Sequence, residues 1–326
     1  MHAAFITQHG PATDIRYGEL PEPVPGPTDV LVDVAAVSVN PVDTFVRSGL
    51  FRTPVPFPFV IGRDLVGTVA EAGPGAPGFT PGDRVWSNSL GHGGRQGPTA
   101  ERAVVPADRL YHLPPGVDGT GAVAVVHPAA TAHLALFAHG GLRAGETVLV
   151  AGGGGNVGGA LIVLAVEAGA RVVATASAAD ADHCRGLGAT EVLDYRSPDL
   201  PDRIRAACPD GIDVHLDTSG TNDLATAVDL LAPRGRIVLL AGARSRPELP
   251  AGQLYMKDGS IRGFVISHAG TGELAEAAAT INRLLAAGRL RPRALETHPL
   301  AAAAETHRRL EKGGLNGRRA VLRPDL

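Results

Sequence analysis

Thr147-Val-Leu-Val-Ala-Gly-Gly-Gly-Gly-Asn-Val-Gly158 is the stretch that decides the fold class. Val148, Leu149 and Val150 form a continuous apolar run, as in a strand covered on both faces of a parallel sheet. Gly153-x-Gly155-x-x-Gly158 follows at once, the spacing of a dinucleotide-binding turn. Three tasks are expected of these glycines: a tight turn, close backbone approach to pyrophosphate, and helix–strand packing. Val157 to Ala168 then reads as an apolar helix stopped by Gly169. Its first amides, with those of Asn156 and Gly158, and its positive dipole end are expected to face the phosphates.

Outward from this turn the unit repeats. β-branched runs stand at Thr147–Val150, Arg171–Thr175, Glu191–Leu193, Ile212–Leu216, Arg236–Leu240 and Ser260–Val265, mostly with helical patterns between them. Strands alternating with helices predict βαβ units and a parallel sheet, hence a doubly wound α/β domain. The first 120 residues are punctuated by Pro and Gly, with short runs at Val30–Val34, Leu65–Ala70, Arg84–Trp86 and Ala103–Val105. They predict an irregular β domain, a partly open barrel. Helical patterns at Gly272–Ala287 and Ala301–Lys312 and a strand at Arg319–Leu322 close the chain. The expected division is residues 1–122 with 290–326 for the β domain, and 123–289 for the nucleotide domain.

Composition narrows the partners. The 326 residues carry 30 basic and 33 acidic side chains, a net charge of −3, which argues against nucleic-acid binding. No stretch is expected to approach the roughly 18 apolar residues of a membrane span, and the longest run near the turn is Ala160–Val166. Two cysteines, Cys184 and Cys208, exclude a disulfide framework and a four-cysteine zinc site. Together with an N-terminus that lacks a signal pattern, they lead us to expect a cytoplasmic protein.

Cofactor choice is read after the second strand. An NAD site usually places an acid about 20 residues past the first glycine, to bind the ribose 2′-OH. Here the strand ends Val-Val-Ala-Thr-Ala-Ser177, and no acid occurs before Asp180. The expectation is NADPH, with His183, Arg185, Tyr195 and Arg196 as candidate donors to its 2′-phosphate.

These segments resemble the medium-chain dehydrogenase/reductase superfamily, most closely its zinc-free, zeta-crystallin-like NADPH:quinone oxidoreductases. The resemblance rests on Val39-Asn-Pro-Val-Asp-Thr-Phe-Val-Arg-Ser-Gly49, Gly62-Arg-Asp-Leu-Val-Gly67 and Pro81-Gly-Asp-Arg-Val85. The glycine turn, Leu187-Gly-Ala189 and Asp194-Tyr195 extend it over nearly the whole chain. It implies a GroES-like barrel joined to a Rossmann domain, with the active site in the cleft between them. It implies that Asn40 and Thr131 face the nicotinamide, and that Gly155, Val157 and Gly158 hold the pyrophosphate. Ser177 and Tyr195 then lie at the adenosine ribose, and Gly220, Ala241, Gly242, Phe264 and Val265 line the cofactor. Where zinc-dependent relatives carry a Cys and a His-Glu pair, this chain has Asn40 and Arg63-Asp64, so no metal is expected.

The chain departs from the resemblance in two places. Phe45 stands where many relatives carry Tyr and Phe51 where a second Tyr is often found, and the Lys that commonly binds the 2′-phosphate is missing from a loop one residue shorter. Loss of two phenols favours an acceptor that needs no placed acid. The expected activity is therefore hydride transfer to a quinone or similar conjugated carbonyl. The alternatives are an enoyl or enone reductase and a weakly catalytic NADPH-binding protein.

Other residues carry two readings each. Asp43 either orders Asn40 for catalysis or caps a turn. Arg47 contacts the reactants or pairs with a carboxylate. Trp86 joins Phe45 and Phe51 in the substrate pocket or packs in the core. His127 lies near the domain junction, where the plainer reading is a capped helix start. The last sheet strand, Ser260–Val265, would be an edge, and the resemblance implies that it pairs with its mate in a homodimer.

Overall fold

The computed structural model describes residues 1–315 and 317–326. They form two compact units, Met1–His127 with Leu274–Leu326, and Pro128–Glu273. The chain opens with β1 (His2–Ile6), β2 (Arg16–Glu19), the ten-residue β3 (Asp29–Ser38) and α1 (Pro41–Ser48). β4 (Phe59–Val60), β5 (Asp64–Ala72), β6 (Arg84–Ser87), β7 (Arg102–Pro106) and β8 (Tyr111–His112) follow. On β3, Val32, Val34 and Ala36 are buried while Asp33 and Ala35 are exposed, the alternation of a half-covered strand. β3 runs well past the expected Val34. Two register shifts against β5, at Leu31/Val32 and Val34/Ala36, let it bend and keep pairing to Ser38.

α2 (Gly119–His133) leads into the second unit and is continued by π-helical turns over Leu134–His139. This single stretch has a mean hydropathy of 1.5 and is long and apolar enough to cross a membrane. It is 78% buried inside the protein over its most apolar window, as a core helix is. The expectation that no stretch is long and apolar enough is corrected here: His127 and His133 interrupt the apolar run, but the helix as a whole stays apolar.

The second unit is built on β9 (Thr147–Ala151), α3 (Asn156–Glu167), β10 (Arg171–Ala176) and α4 (Ala181–Gly186). β11 (Glu191–Asp194), α5 (Leu200–Ala207), β12 (Ile212–Asp217) and α6 (Leu224–Leu230) come next. β13 (Leu231–Leu239), α7 (Ala251–Met256) and β14 (Ser260–Gly263) complete it. The six strands are parallel in the order β11-β10-β9-β12-β13-β14. Counted along the chain this is 3-2-1-4-5-6, the dinucleotide-binding arrangement. β13 starts five residues earlier than expected, because Leu231 already pairs with Ile212. β14 stops at Gly263, so Phe264 and Val265 lie beyond the strand rather than in it.

The chain returns to the first unit through α8 (Thr271–Ala286), β15 (Leu295–Pro299), α9 (Ala303–Glu311) and β16 (Arg319–Arg323). β16 pairs with β3 and completes a seven-stranded sheet, β15-β16-β3-β5-β6-β8 with β7 also on β3. Its apolar filling includes Val32, Val37, Leu65, Val69, Val85 and Leu322. α8 groups with this unit from Leu274 onward, where the sequence boundary had placed it in the nucleotide domain. One reason is local: Asn282 accepts the Trp86 Nε1–H at 2.9 Å and donates to the His112 carbonyl at 3.0 Å.

Trp86 is fully buried and packs on Tyr111, with ring centroids 4.7 Å apart. The core reading therefore replaces its assignment to a substrate pocket. Trp86→Phe should lower the unfolding free energy by about 1–3 kcal/mol in urea titrations, because it strips Asn282 of its indole donor.

Candidate functional site

The glycine turn divides its tasks differently from the sequence expectation. Gly152, not Gly153, makes the tight turn, with φ at +85°. The N–H groups of Gly152 and Gly153 both donate to the Thr175 carbonyl, at 3.1 and 2.8 Å, which ties the turn to β10. A Cβ on Gly153 would lie 3.0 Å from the Ala174 Cβ and 3.3 Å from the Cys184 Sγ, so this glycine serves packing. A Cβ on Gly158 would run into the Gly152 carbonyl and sit 2.8 Å from the Gly153 Cα. Gly155 differs: it is exposed, precedes α3, and its Cβ would meet only the Gly152 oxygen at 3.4 Å. Its outer side is open, so backbone at this point can approach a pyrophosphate. The first hydrogen bond of α3 runs from Gly159 N–H to the Gly155 carbonyl at 2.8 Å. The N–H groups of Asn156, Val157 and Gly158 ahead of it have no intrahelical partner and are donors for an anion. This cradle fits a dinucleotide.

β9 and β12 lie side by side, and the chain leaves them in opposite directions, a switch point where ligands sit beyond the strand ends. Gly220 and Gly242 close this end. Both have positive φ, +79° and +81°, and a Cβ on Gly220 would lie 2.7 Å from the Gly242 nitrogen. Asn222, which sequence reading missed, joins the two loops. Its Nδ2 donates to the Ala241 carbonyl at 3.0 Å and to Ser245 Oγ at 2.8 Å. Asp217 in turn accepts from the Asn222 N–H at 2.6 Å and from Ser219. Phe264 donates its N–H to the Leu239 carbonyl at 3.1 Å and stacks on His139, while Val265 is 39% exposed. Thr131 is partly buried in α2.

At the other end of the turn, Ala176 is paired with Asp194, so Ser177 and Tyr195 leave neighbouring strand ends together. Tyr195 is half-exposed, and the Arg196 guanidinium lies 4.9 Å from its ring centroid. Arg185 is paired with Asp182 at 2.8 Å. Ser177 is not a free donor: its hydroxyl donates to Asp180 Oδ2 at 2.7 Å. The expectation that no acid reaches this end is corrected. The short helical turn Ala178–Asp180 folds the chain back, and the Asp180 side chain lies over Gly154, where a Cβ would be 2.8 Å from its carboxylate.

In the first unit, Asn40, Asp43 and Arg47 sit on or beside α1, all buried. Asp64 is the centre of this region, and sequence reading did not foresee that role. Its Oδ2 accepts from Asn40 Nδ2 at 2.7 Å and from Ser38 Oγ at 2.7 Å, and its Oδ1 lies 3.1 Å from His127 Nδ1. Arg319 donates to Asn40 Oδ1 at 2.8 Å, to Ser38 Oγ at 3.1 Å and to the Ala124 carbonyl at 2.7 Å. The Asn40 amide is thus held at both ends, which makes it a positioning group. His127 lies inside α2, not at a capped start. Asp43 accepts the Asn40 N–H at 2.7 Å, so capping the helix and ordering Asn40 are one interaction. Arg47 is corrected to a structural role: buried, it pairs with Glu311 on α9. Phe45 remains 38% exposed, and Phe51 stacks on His92 at 5.7 Å.

Burial, helped by the nearby Asp64 charge, pushes the Asp43 carboxyl from 3.8 to about 7, against the pull of the Asn40 N–H, Arg63 and His127. Arg63 and Arg319 are pushed down by burial and held up by Asp43 and Asp64. This donor set does not suit a divalent cation: Asp64 already accepts from Ser38 and Asn40, the Asn40 oxygen is taken by Arg319, and two buried guanidiniums, Arg63 and Arg319, carry positive charge near the same carboxylates. Among the described residues, no three His, Cys, Asp or Glu side chains cluster as metal ligands.

A parallel 3-2-1-4-5-6 sheet with its glycine turn at the switch point, together with a mostly antiparallel β unit in which β15 and β16 run parallel, defines a nucleotide-dependent dehydrogenase architecture. Residues 26–115 match the family described as Alcohol dehydrogenase GroES-like domain, and residues 156–283 match Zinc-binding dehydrogenase. The quinone oxidoreductase of Sus scrofa is 32% identical over 300 residues, 91% of this chain and 90% of its own. A mycobacterial protein solved with NADPH is 30% identical with a TM-score of 0.85, covering 99% of this chain and 100% of its own. A protein described as an NAD-dependent alcohol dehydrogenase is 32% identical with a TM-score of 0.88, covering 99% of both chains. The chain belongs to the medium-chain dehydrogenase/reductases, in their quinone oxidoreductase family, and is an oxidoreductase.

The folded chain keeps a proton on Asp43 up to about pH 7, whereas an unfolded Asp loses it near 3.8. The stability this contributes is complete below pH 3.8 and is lost as pH rises to about 7. Asp43→Asn should remove this slope, worth at most about 1.4 kcal/mol per pH unit. Chemical denaturation of both proteins at pH 4.5, 5.5 and 6.5 checks it.

Proposed function

We propose that the chain is an NADPH-dependent reductase that passes hydride, without a metal, to a quinone or a similar conjugated carbonyl. The observation that carries the nucleotide half is Gly155, an open backbone position at the head of α3 and at the switch point of the sheet. The mycobacterial relative solved with NADPH and the curated quinone oxidoreductases support the choice of cofactor and acceptor.

When bound, the reduced nicotinamide supplies the hydride. The chain supplies placement: Gly155 and the amides of Asn156, Val157 and Gly158 hold the pyrophosphate, and the loops joined by Asn222 fix the ends of β12 and β13. Asn40 is locked by Asp64 and Arg319, and an amide with both ends engaged gives no proton. Phe45 and Phe51 offer aromatic surface and no acid. A quinone suits this set, since reduction leaves a weakly basic aromatic quinol anion that water protonates. An enone leaves a strongly basic enolate that benefits from a positioned acid.

An acceptor screen followed by NADPH absorbance tests the reading. Turnover of quinones is expected; turnover of enones alone would assign a C=C reductase, and NADPH binding with no turnover would leave a nucleotide-binding protein. Gly155→Val should keep the melting temperature, because its Cβ has room, yet abolish NADPH binding by fluorescence titration. Unchanged affinity in the folded variant would remove the turn from the site. We also propose a homodimer through the sheet edge at β14, where Arg262 and Gly263 are exposed. A dimer mass is expected by light scattering at micromolar concentration.

A further inference from the structure

We infer that Asp180 reads the adenosine ribose and makes the nucleotide site accept NADH alongside NADPH. This rests on the proposed binding of a dinucleotide in the Gly152–Gly158 turn. Four observations carry it, all from the second unit.

The first is position. The Asp180 side chain lies over Gly154, in the middle of the glycine turn, where its Cβ, Cγ and Oδ2 would each be 2.8 Å from a Cβ on residue 154. Residue 154 must be glycine for the carboxylate to lie there. The second is the backbone. Asp180 ends the short helical turn Ala178–Asp180 with φ and ψ of −101° and −6°, and this turn is what sets its side chain beside Gly154. The third is the Ser177 hydroxyl, which donates to Asp180 Oδ2 at 2.7 Å and so orients the carboxylate rather than serving a phosphate. The fourth is a neighbouring cation that is already taken: Arg185 is paired with Asp182 at 2.8 Å.

An acid at the end of the second strand, beside the glycine turn, is placed to accept from a ribose 2′-OH and to repel a 2′-phosphate. Asp180 reaches this place from 27 residues past Gly153 because the turn Ala178–Asp180 brings the chain back. The chain thus combines the donors of an NADPH site, Tyr195 and Arg196, with the acceptor of an NADH site. Neither cofactor gains the full set.

Fluorescence titration of the full-length protein with NADH and NADPH tests this without any acceptor. Dissociation constants for the two are expected within about tenfold of each other. Asp180→Asn keeps an acceptor for the 2′-OH and removes the repulsion, so NADPH binding should tighten roughly tenfold with little change for NADH. Asp180→Ala should tighten NADPH and also weaken NADH. Thermal melts check that both variants fold. An unchanged NADPH to NADH ratio in both folded variants overturns the role of Asp180 and leaves the nucleotide reading intact. Wild-type protein that binds neither cofactor overturns that reading, and this inference with it.

Discussion

No side chain fits between Gly158 and the carbonyl of Gly152, and the nucleotide end of the second unit depends on that closeness. It presses the first turn of α3 onto the end of β9. The N–H groups of residues 156–158 then point outward at the carboxyl ends of the strands, where anions are favoured by both free donors and the helix dipole. Gly158 takes the close contact with Gly152, and Gly155 remains open. Gly152 takes the positive φ that the reversal needs, and Thr175 holds the turn in place from the next strand.

The first unit is organised by charge rather than by close backbone approach. Asp64 is fully buried and would be costly alone, since an ion taken out of water loses several kcal/mol. Ser38, Asn40 and His127 surround it directly, and Arg319 binds the same Ser38 and Asn40. Removing one partner from such a cluster typically costs about 3–5 kcal/mol, because a charge stays buried without compensation. The cluster joins Asp64 on β5 to Ser38 on β3, His127 on α2, Arg319 on β16 and Asn40 ahead of α1, and so fixes the start of α1 against these strands. Asp43 completes it from within α1 and, through its N–H contact with Asn40, couples the helix start to the same charges.

Much of the second unit was legible along the chain. Each expected parallel strand has its counterpart, since buried β-branched runs at regular spacing have few other ways to fold. Ends were less legible. β13 begins at Leu231 because a neighbouring strand offers Ile212 as a partner, and no local pattern reports that. Trp86 and Arg47 looked like pocket residues because large or charged side chains beside a motif invite that reading. Their partners, Asn282 and Glu311, are 196 and 264 residues away. α8 carries a helical pattern that is the same in either unit, and its membership follows from contacts such as that of Asn282 with Trp86.

The sequence by itself determined the α/β class and the glycine turn, because hydrophobic period and glycine spacing are local and survive without neighbours, while the family came from the resemblance of whole segments such as Val39–Gly49 and Pro81–Val85. Only the tertiary structure decided which polar groups are free to act. It engaged the Asn40 amide at both ends, withdrew Arg47 and Trp86 into the interior, and brought Asp180 back onto Gly154. A side chain's availability depends on which partner reaches it first, and those partners come from strands and turns that meet only when the chain is folded.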